Sequence, residues 1–113
     1  GWKGFAHCFS DGPEEARRWR ELGFYISFAG QVTFKNAENL RQAARALKPS
    51  DIVVETDCPF LAPMPNRGKR NEPAFVASVA AQVAELRGET LTEVAHTSTS
   101  NAARLFSLPL HNV

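Results

Sequence analysis

His7 and Asp57 are the residues of this chain best placed to do chemistry, because each stands where an apolar segment runs out. Ile52-Val53-Val54 runs through Glu55 and Thr56 into Asp57, and Cys58-Pro59 ends the segment; Phe5-Ala6 runs into His7, followed by Cys8 to Pro13 and a helix. A buried strand disfavours a carboxylate. An acidic residue at its carboxyl end, where parallel α/β folds gather their sites, therefore has a chemical task. Imidazole suits zinc and other transition metals, and carboxylate suits magnesium and manganese as well, so the pair forms half of a divalent-metal site. Asp57 could also orient or deprotonate a water there.

Strand alternation puts Val53, Glu55 and Asp57 on one face, with Glu55 one layer below Asp57. Burying Glu55 unpaired would be costly, so it is expected to accept a hydrogen bond from a ligand histidine or to pair with a cation. Cys8 and Cys58 each follow a candidate ligand, which makes a His7/Cys8/Cys58 zinc cluster a competing arrangement. The same alternation argues against it, because a neighbour along a strand points elsewhere.

A long connection from Cys58 to Glu72 leaves the Asp57 end and carries Asn66-Arg67-Gly68-Lys69-Arg70-Asn71, a basic stretch without a carboxylate until Glu72. Connections of this length without regular structure are functional or disordered. Guanidinium groups pair with phosphate oxygens while metals polarise the same group, so Arg67, Lys69, Arg70 and Asn71 are expected to contact phosphate or shape the site entrance. A solvated charged surface is the plainer alternative.

Strand and helix signals alternate around these residues, as in a parallel sheet with crossover helices. Strands are expected at 5–7, 24–29 and 52–57, with a loop at 31–35. The first helix, Pro13 to Leu22, should bury Ala16, Trp19 and Leu22, with Asp11 serving its cap. The second, Asn36 to Leu47, should bury Ala37, Leu40, Ala44 and Leu47. A third runs from Pro73 to Arg87 with a stripe of Val76, Val79, Ala80, Val83 and Leu86 and a cap at Gly88. Thr90 to Glu93 is a capping box that starts a fourth, and 101–106 forms a last short helix. His96 and His111 are read as structural or surface residues.

The chain has 113 residues, 43% of them hydrophobic, and a net charge of +1, which is enough apolar material for one core and no more than one domain. No apolar run approaches the about 20 residues of a membrane helix, and the amino end shows no cleavable signal, so a cytoplasmic setting is expected. Two cysteines suit a reducing compartment.

In order along the chain, His7-Cys8-Phe9-Ser10, Val32-Thr33-Phe34-Lys35-Asn36-Ala37, Glu55-Thr56-Asp57-Cys58-Pro59-Phe60-Leu61-Ala62-Pro63, Arg67-Gly68-Lys69-Arg70-Asn71-Glu72-Pro73 and Asn101-Ala102-Ala103-Arg104-Leu105-Phe106 resemble the signatures of the TatD family of metal-dependent hydrolases and deoxyribonucleases. The resemblance implies an α/β fold, the carboxyl-terminal part of a (β/α)8 TIM barrel. It also implies a site for one or two divalent cations (magnesium, manganese or zinc) and hydrolysis of DNA phosphodiesters, with trimming of single strands or 3′ ends by a 3′–5′ exonuclease. By the same resemblance His7 and Asp57 are metal ligands, and Asp57 orients or deprotonates the attacking water.

The family's amino-terminal His-x-His pair, its metal-bridging glutamate and a further histidine have no counterpart here. A barrel of this kind takes about 250 residues. Residues 1–113 are therefore expected to be a single partial domain, inactive alone, whose partners are DNA and the missing amino-terminal half. Gly1, where a native start would show Met, points the same way. Two alternatives stand beside this reading: a metal-dependent amidohydrolase or esterase, since similar sites act on carbonyl centres, and a non-catalytic half-barrel that binds or oligomerises through open sheet edges.

Overall fold

The computed structural model describes residues 4–107. Three short parallel strands, β1 (Phe5–Ala6), β2 (Tyr25–Phe28) and β3 (Ile52–Val54), form a sheet in the order β1-β2-β3. Phe5 pairs with Tyr25, and Ile26, Ser27 and Phe28 pair with Ile52, Val53 and Val54. The helices are α1 (Pro13–Glu21) after β1, α2 (Glu38–Ala46) after β2, and α3 (Val76–Arg87) and α4 (Leu91–Phe106) after β3. Strand followed by helix, with all strands parallel, is the expected α/β arrangement. Among the described residues no helix is long and apolar enough to cross a membrane.

The period-2 pattern divides the sheet into two faces. Ile26, Phe28 and Ile52 point to the helices and join Phe9, Ala16, Leu40, Ala44, Val79, Val83 and Val94 in one core. Phe5, Tyr25, Ser27 and Val53 occupy the opposite face by register. On α2 the expected stripe holds, with Ala37, Leu40, Ala44 and Leu47 all buried. On α3, Val79, Ala80 and Val83 are buried, and Gly88 closes the helix at φ +67°, a left-handed value that favours glycine.

Several expectations are corrected. On α1 only Ala16 is buried; Leu22 is exposed, and Trp19 keeps one side in solvent while stacking on Phe24 at 5.4 Å. Glu15, not Asp11, satisfies the start of α1, its Oε1 accepting from the Gly12 N–H at 3.0 Å. The expected loop at 31–35 contains a 3-10 turn, Gly30–Thr33. The two expected carboxyl-side helices are one, α4. Through the Thr97-Ser98-Thr99-Ser100 run the helix continues, with Thr97 Oγ1 donating to Glu93 O and Ser98 Oγ to Ala95 O. Thr90 caps it as expected, accepting from the Glu93 N–H. His96 is exposed; His111 lies outside the described residues.

Candidate metal centre

Both candidate ligand residues, His7 and Asp57, sit just past a strand. β1 ends at Ala6, so His7 and Cys8 already belong to the turn, and Cys8 adopts a left-handed φ of +47°. β3 ends at Val54; its ladder continues one step through the Glu55 N–H to Phe28 O at 2.9 Å, and Asp57 is left-handed at φ +54°. Non-glycine residues rarely adopt such values, and they concentrate where the surrounding structure holds a site in place.

These turns bring His7, Cys8, Glu55 and Asp57 together, with one ligating atom of each within 4.8 Å of the others. His7 Nδ1 lies 2.7 Å from Glu55 Oε1. With the proton on Nδ1, the ring donates to the carboxylate and turns the Nε2 lone pair the other way. Nε2 is 3.6 Å from Asp57 Oδ1, too long for a hydrogen bond. Glu55 Oε2 accepts from the Cys8 N–H at 2.8 Å, and its Oε1 also receives the Cys8 thiol at 3.1 Å. The thiol lies 3.5 Å from His7 Nε2 as well.

The alternation argument against Cys8 therefore fails, because His7 and Cys8 are not in the strand. Cys58 is exposed and stands outside the group. Burial, then the Glu55 hydrogen bond and the negative charges of Glu55 and Asp57, push the Cys8 thiol up to about 12. At neutral pH it is a hydrogen-bond donor, and thiolate is the form that ligates metal.

A divalent cation fits this donor set. Two carboxylates lie side by side, and among the described residues the only ion pairs of Glu55 and Asp57 are with His7. An imidazole lone pair and a carboxylate oxygen converge without bonding to each other, which is the disposition of two ligands to one ion.

The basic loop is placed less simply. The depression around His7 is lined by Phe5, Cys8, Ser10, Asp11 and Trp19 among others, and by none of Arg67, Lys69, Arg70 and Asn71. Arg67 stacks over Phe34 at 4.0 Å and lines an adjoining cavity that shares Ser10. Lys69 and Arg70 are exposed. Asn71 corrects the expectation: it is 3% exposed, and its Nδ2 donates to Thr56 O at 2.6 Å and Phe60 O at 2.8 Å. Its donors are spent folding the loop back on the Asp57 turn, so no phosphate can use them.

Comparison with known proteins follows the same lines. A family model described as TatD related DNase matches residues 1–107. The uncharacterized metal-dependent hydrolase YcfH of Escherichia coli (strain K12) is 51% identical over 105 residues, 93% of this chain and 40% of its own length. The uncharacterized metal-dependent hydrolase YabD of Bacillus subtilis (strain 168) is 48% identical over 105 residues, covering 93% of this chain and 41% of its own. The crystal structure of YJJV, a TatD homolog from Escherichia coli K12, superposes with a TM-score of 0.87 at 32% identity, over 94% of this chain and 41% of that one. A TatD family hydrolase from Entamoeba histolytica, at 19% identity and a TM-score of 0.83, shares the fold. The chain thus spans about two fifths of these relatives' length. These shares do not carry the carboxyl-terminal placement expected from the motifs.

Proposed function

Because the chain belongs to the TatD-related family, we propose that it forms part of a (β/α)8 barrel that hydrolyses phosphodiester bonds of DNA with a divalent cation, trimming single strands from their 3′ ends in the cytoplasm. The observation that carries the proposal is the convergence of His7 Nε2 and Asp57 Oδ1 beside a second carboxylate, with no arginine or lysine among their ion-pair partners within the described residues. The family description supplies DNA as the substrate class.

His7 and Asp57 would hold magnesium, manganese or zinc, one ion or two, which supplies polarisation of the phosphoryl group and a more acidic water. Asp57 also orients the attacking water and accepts its proton as the water oxygen bonds to phosphorus and the ester P–O bond breaks. Arg67, Lys69 and Arg70 offer cationic donors to the phosphates of the approaching strand.

The test is hydrolysis of 3′-labelled single-stranded DNA by a complete barrel containing this chain, titrated with each cation. Cleavage that requires the cation and is lost in Asp57→Asn is the expected result; cation binding with DNA left intact overturns the substrate class. One observation favours a second reading, hydrolysis of an amide or carboxylic ester: among the described residues the depression around His7 has no basic lining. Salt separates the two, since only turnover of a polyanion weakens steeply as salt rises.

A further inference from the structure

We propose that Glu55 is the positioning residue that forms the site before any cation arrives, by fixing His7 in the Nδ1–H tautomer and holding the left-handed backbone of Cys8 with the same carboxylate. The inference rests on the metal-holding role of His7 and Asp57 and says how that role is built.

Two hydrogen bonds and one close ion-pair contact converge on the Glu55 carboxylate. Oε1 lies 2.7 Å from His7 Nδ1 and accepts from the Cys8 thiol at 3.1 Å, and Oε2 accepts from the Cys8 N–H at 2.8 Å. The carboxylate belongs to the end of β3, whereas His7 and Cys8 follow β1, and β2 lies between these strands. Among the described residues no ladder joins β1 to β3, and this side chain ties the two turns together. It is well placed to act as a fixed clamp: its own N–H is anchored to Phe28 O at 2.9 Å and only 15% of its side chain is exposed, against 59% for His7.

The chemistry of each contact sets a direction. A carboxylate only accepts, so the His7 nitrogen facing it must carry the proton, and Nε2 is left as the lone pair that can ligate. The Cys8 N–H needs an acceptor too. A glutamine at position 55 has one oxygen and one NH2 group, so it cannot accept at both ends. If its oxygen stays on the Cys8 N–H, its NH2 meets His7 Nδ1 and donates to it, which moves the ring proton to Nε2, onto the atom that must bind the cation. Glu55→Gln therefore inverts the tautomer at nearly constant shape, and Glu55→Asp keeps the charge but draws the acceptor back by one methylene.

The experiment uses a complete barrel containing this chain, labelled with 15N at histidine and stripped with EDTA. The His7 signals are assigned by their loss in His7→Gln. In the unaltered protein the ring nitrogens should show the Nδ1–H tautomer without metal; in Glu55→Gln they should show Nε2–H. Manganese and zinc affinities, measured by calorimetry, should fall about 10- to 100-fold in Glu55→Gln, with Glu55→Asp intermediate and the near-ultraviolet circular dichroism of all three unchanged. A His7 ring that keeps the Nδ1–H tautomer in Glu55→Gln, or affinity within twofold of the unaltered protein, overturns the proposal. If no form binds metal while the tautomer still inverts, the metal-holding reading falls and the clamp stands, so the two failures are told apart.

Discussion

At the scale of single residues the two cysteines divide sharply. Cys8 is held as a neutral donor by burial and by the Glu55 and Asp57 carboxylates, whereas Cys58 is exposed. Only thiolate reacts with iodoacetamide. With its pKa at about 12, Cys8 at pH 8 is ionised in roughly one molecule in ten thousand. Mass spectrometry of the metal-free protein at pH 8 should therefore find Cys58 modified first and Cys8 nearly untouched. A raised pKa means that the thiolate appears only as pH climbs, so Cys8 labelling should accelerate about tenfold per pH unit between pH 9 and 11. Equal labelling at pH 8 would show that Cys8 is not hydrogen-bonded as described. The site residues themselves were legible in sequence because His7, Glu55 and Asp57 are the wrong residue types for buried strand ends. Cys8 was not, since its place in the group depends on a left-handed turn that begins one residue earlier than the pattern implies.

At the scale of elements, what positions Asp57 is the connection that follows it. Asn71 ties Thr56 O and Phe60 O, its N–H donates to Pro59 O, and the Met64 N–H donates to Thr33 Oγ1. The segment is further seated on the turn after β2: a Cβ on Gly30 would stand 1.9 Å from Leu61 O, so the backbones touch where only glycine fits. Asn71→Asp keeps the shape and removes both donors, leaving the part-buried Thr56 and Phe60 carbonyls without them. The expected loss is about 2–6 kcal/mol, from about 1–3 kcal/mol for each group left unsatisfied. A urea midpoint unchanged in Asn71→Asp would refute the tie. Gly30→Ala should displace the loop and weaken cation binding without altering any ligand, which calorimetry would register. Sequence read the strands, α1 to α3 and the Thr90 cap from periodicity and turn chemistry. It read Asn71 as a phosphate contact or part of the site entrance, because an asparagine inside a basic run gives no local sign that its amide faces inward. It split α4 because burial of Ser98 and Asn101, with Asn101 Nδ2 bonded to Pro49 O and Ile52 O, is a tertiary fact.

At the scale of the whole molecule the sheet is open. Among the described residues β1 and β3 each have a neighbour on one side only, β2 between them. Their unpaired backbone groups are a template for further strands. The chain matches about two fifths of its relatives' length, and its donor set reflects that share. Of the four clustered residues, Glu55 is engaged with His7 and Cys8, and Cys8 is a protonated thiol, which leaves His7 and Asp57 free to ligate. Catalytic zinc sites use three protein ligands. Under the proposed function two donors from this chain would set a weak site, and strands pairing with the open edges would bring the rest. Calorimetric titration with zinc should give a dissociation constant at least about 100-fold weaker for this chain than for a complete barrel that contains it, each lost ligand removing several hydrogen-bond equivalents of binding. Adding the remainder of the barrel as a separate polypeptide should restore the tight site at one-to-one stoichiometry. A chain that bound zinc as tightly alone, as a stable self-associated oligomer, would instead make the open edges an assembly surface between copies and assign the missing ligands to a second copy of this chain.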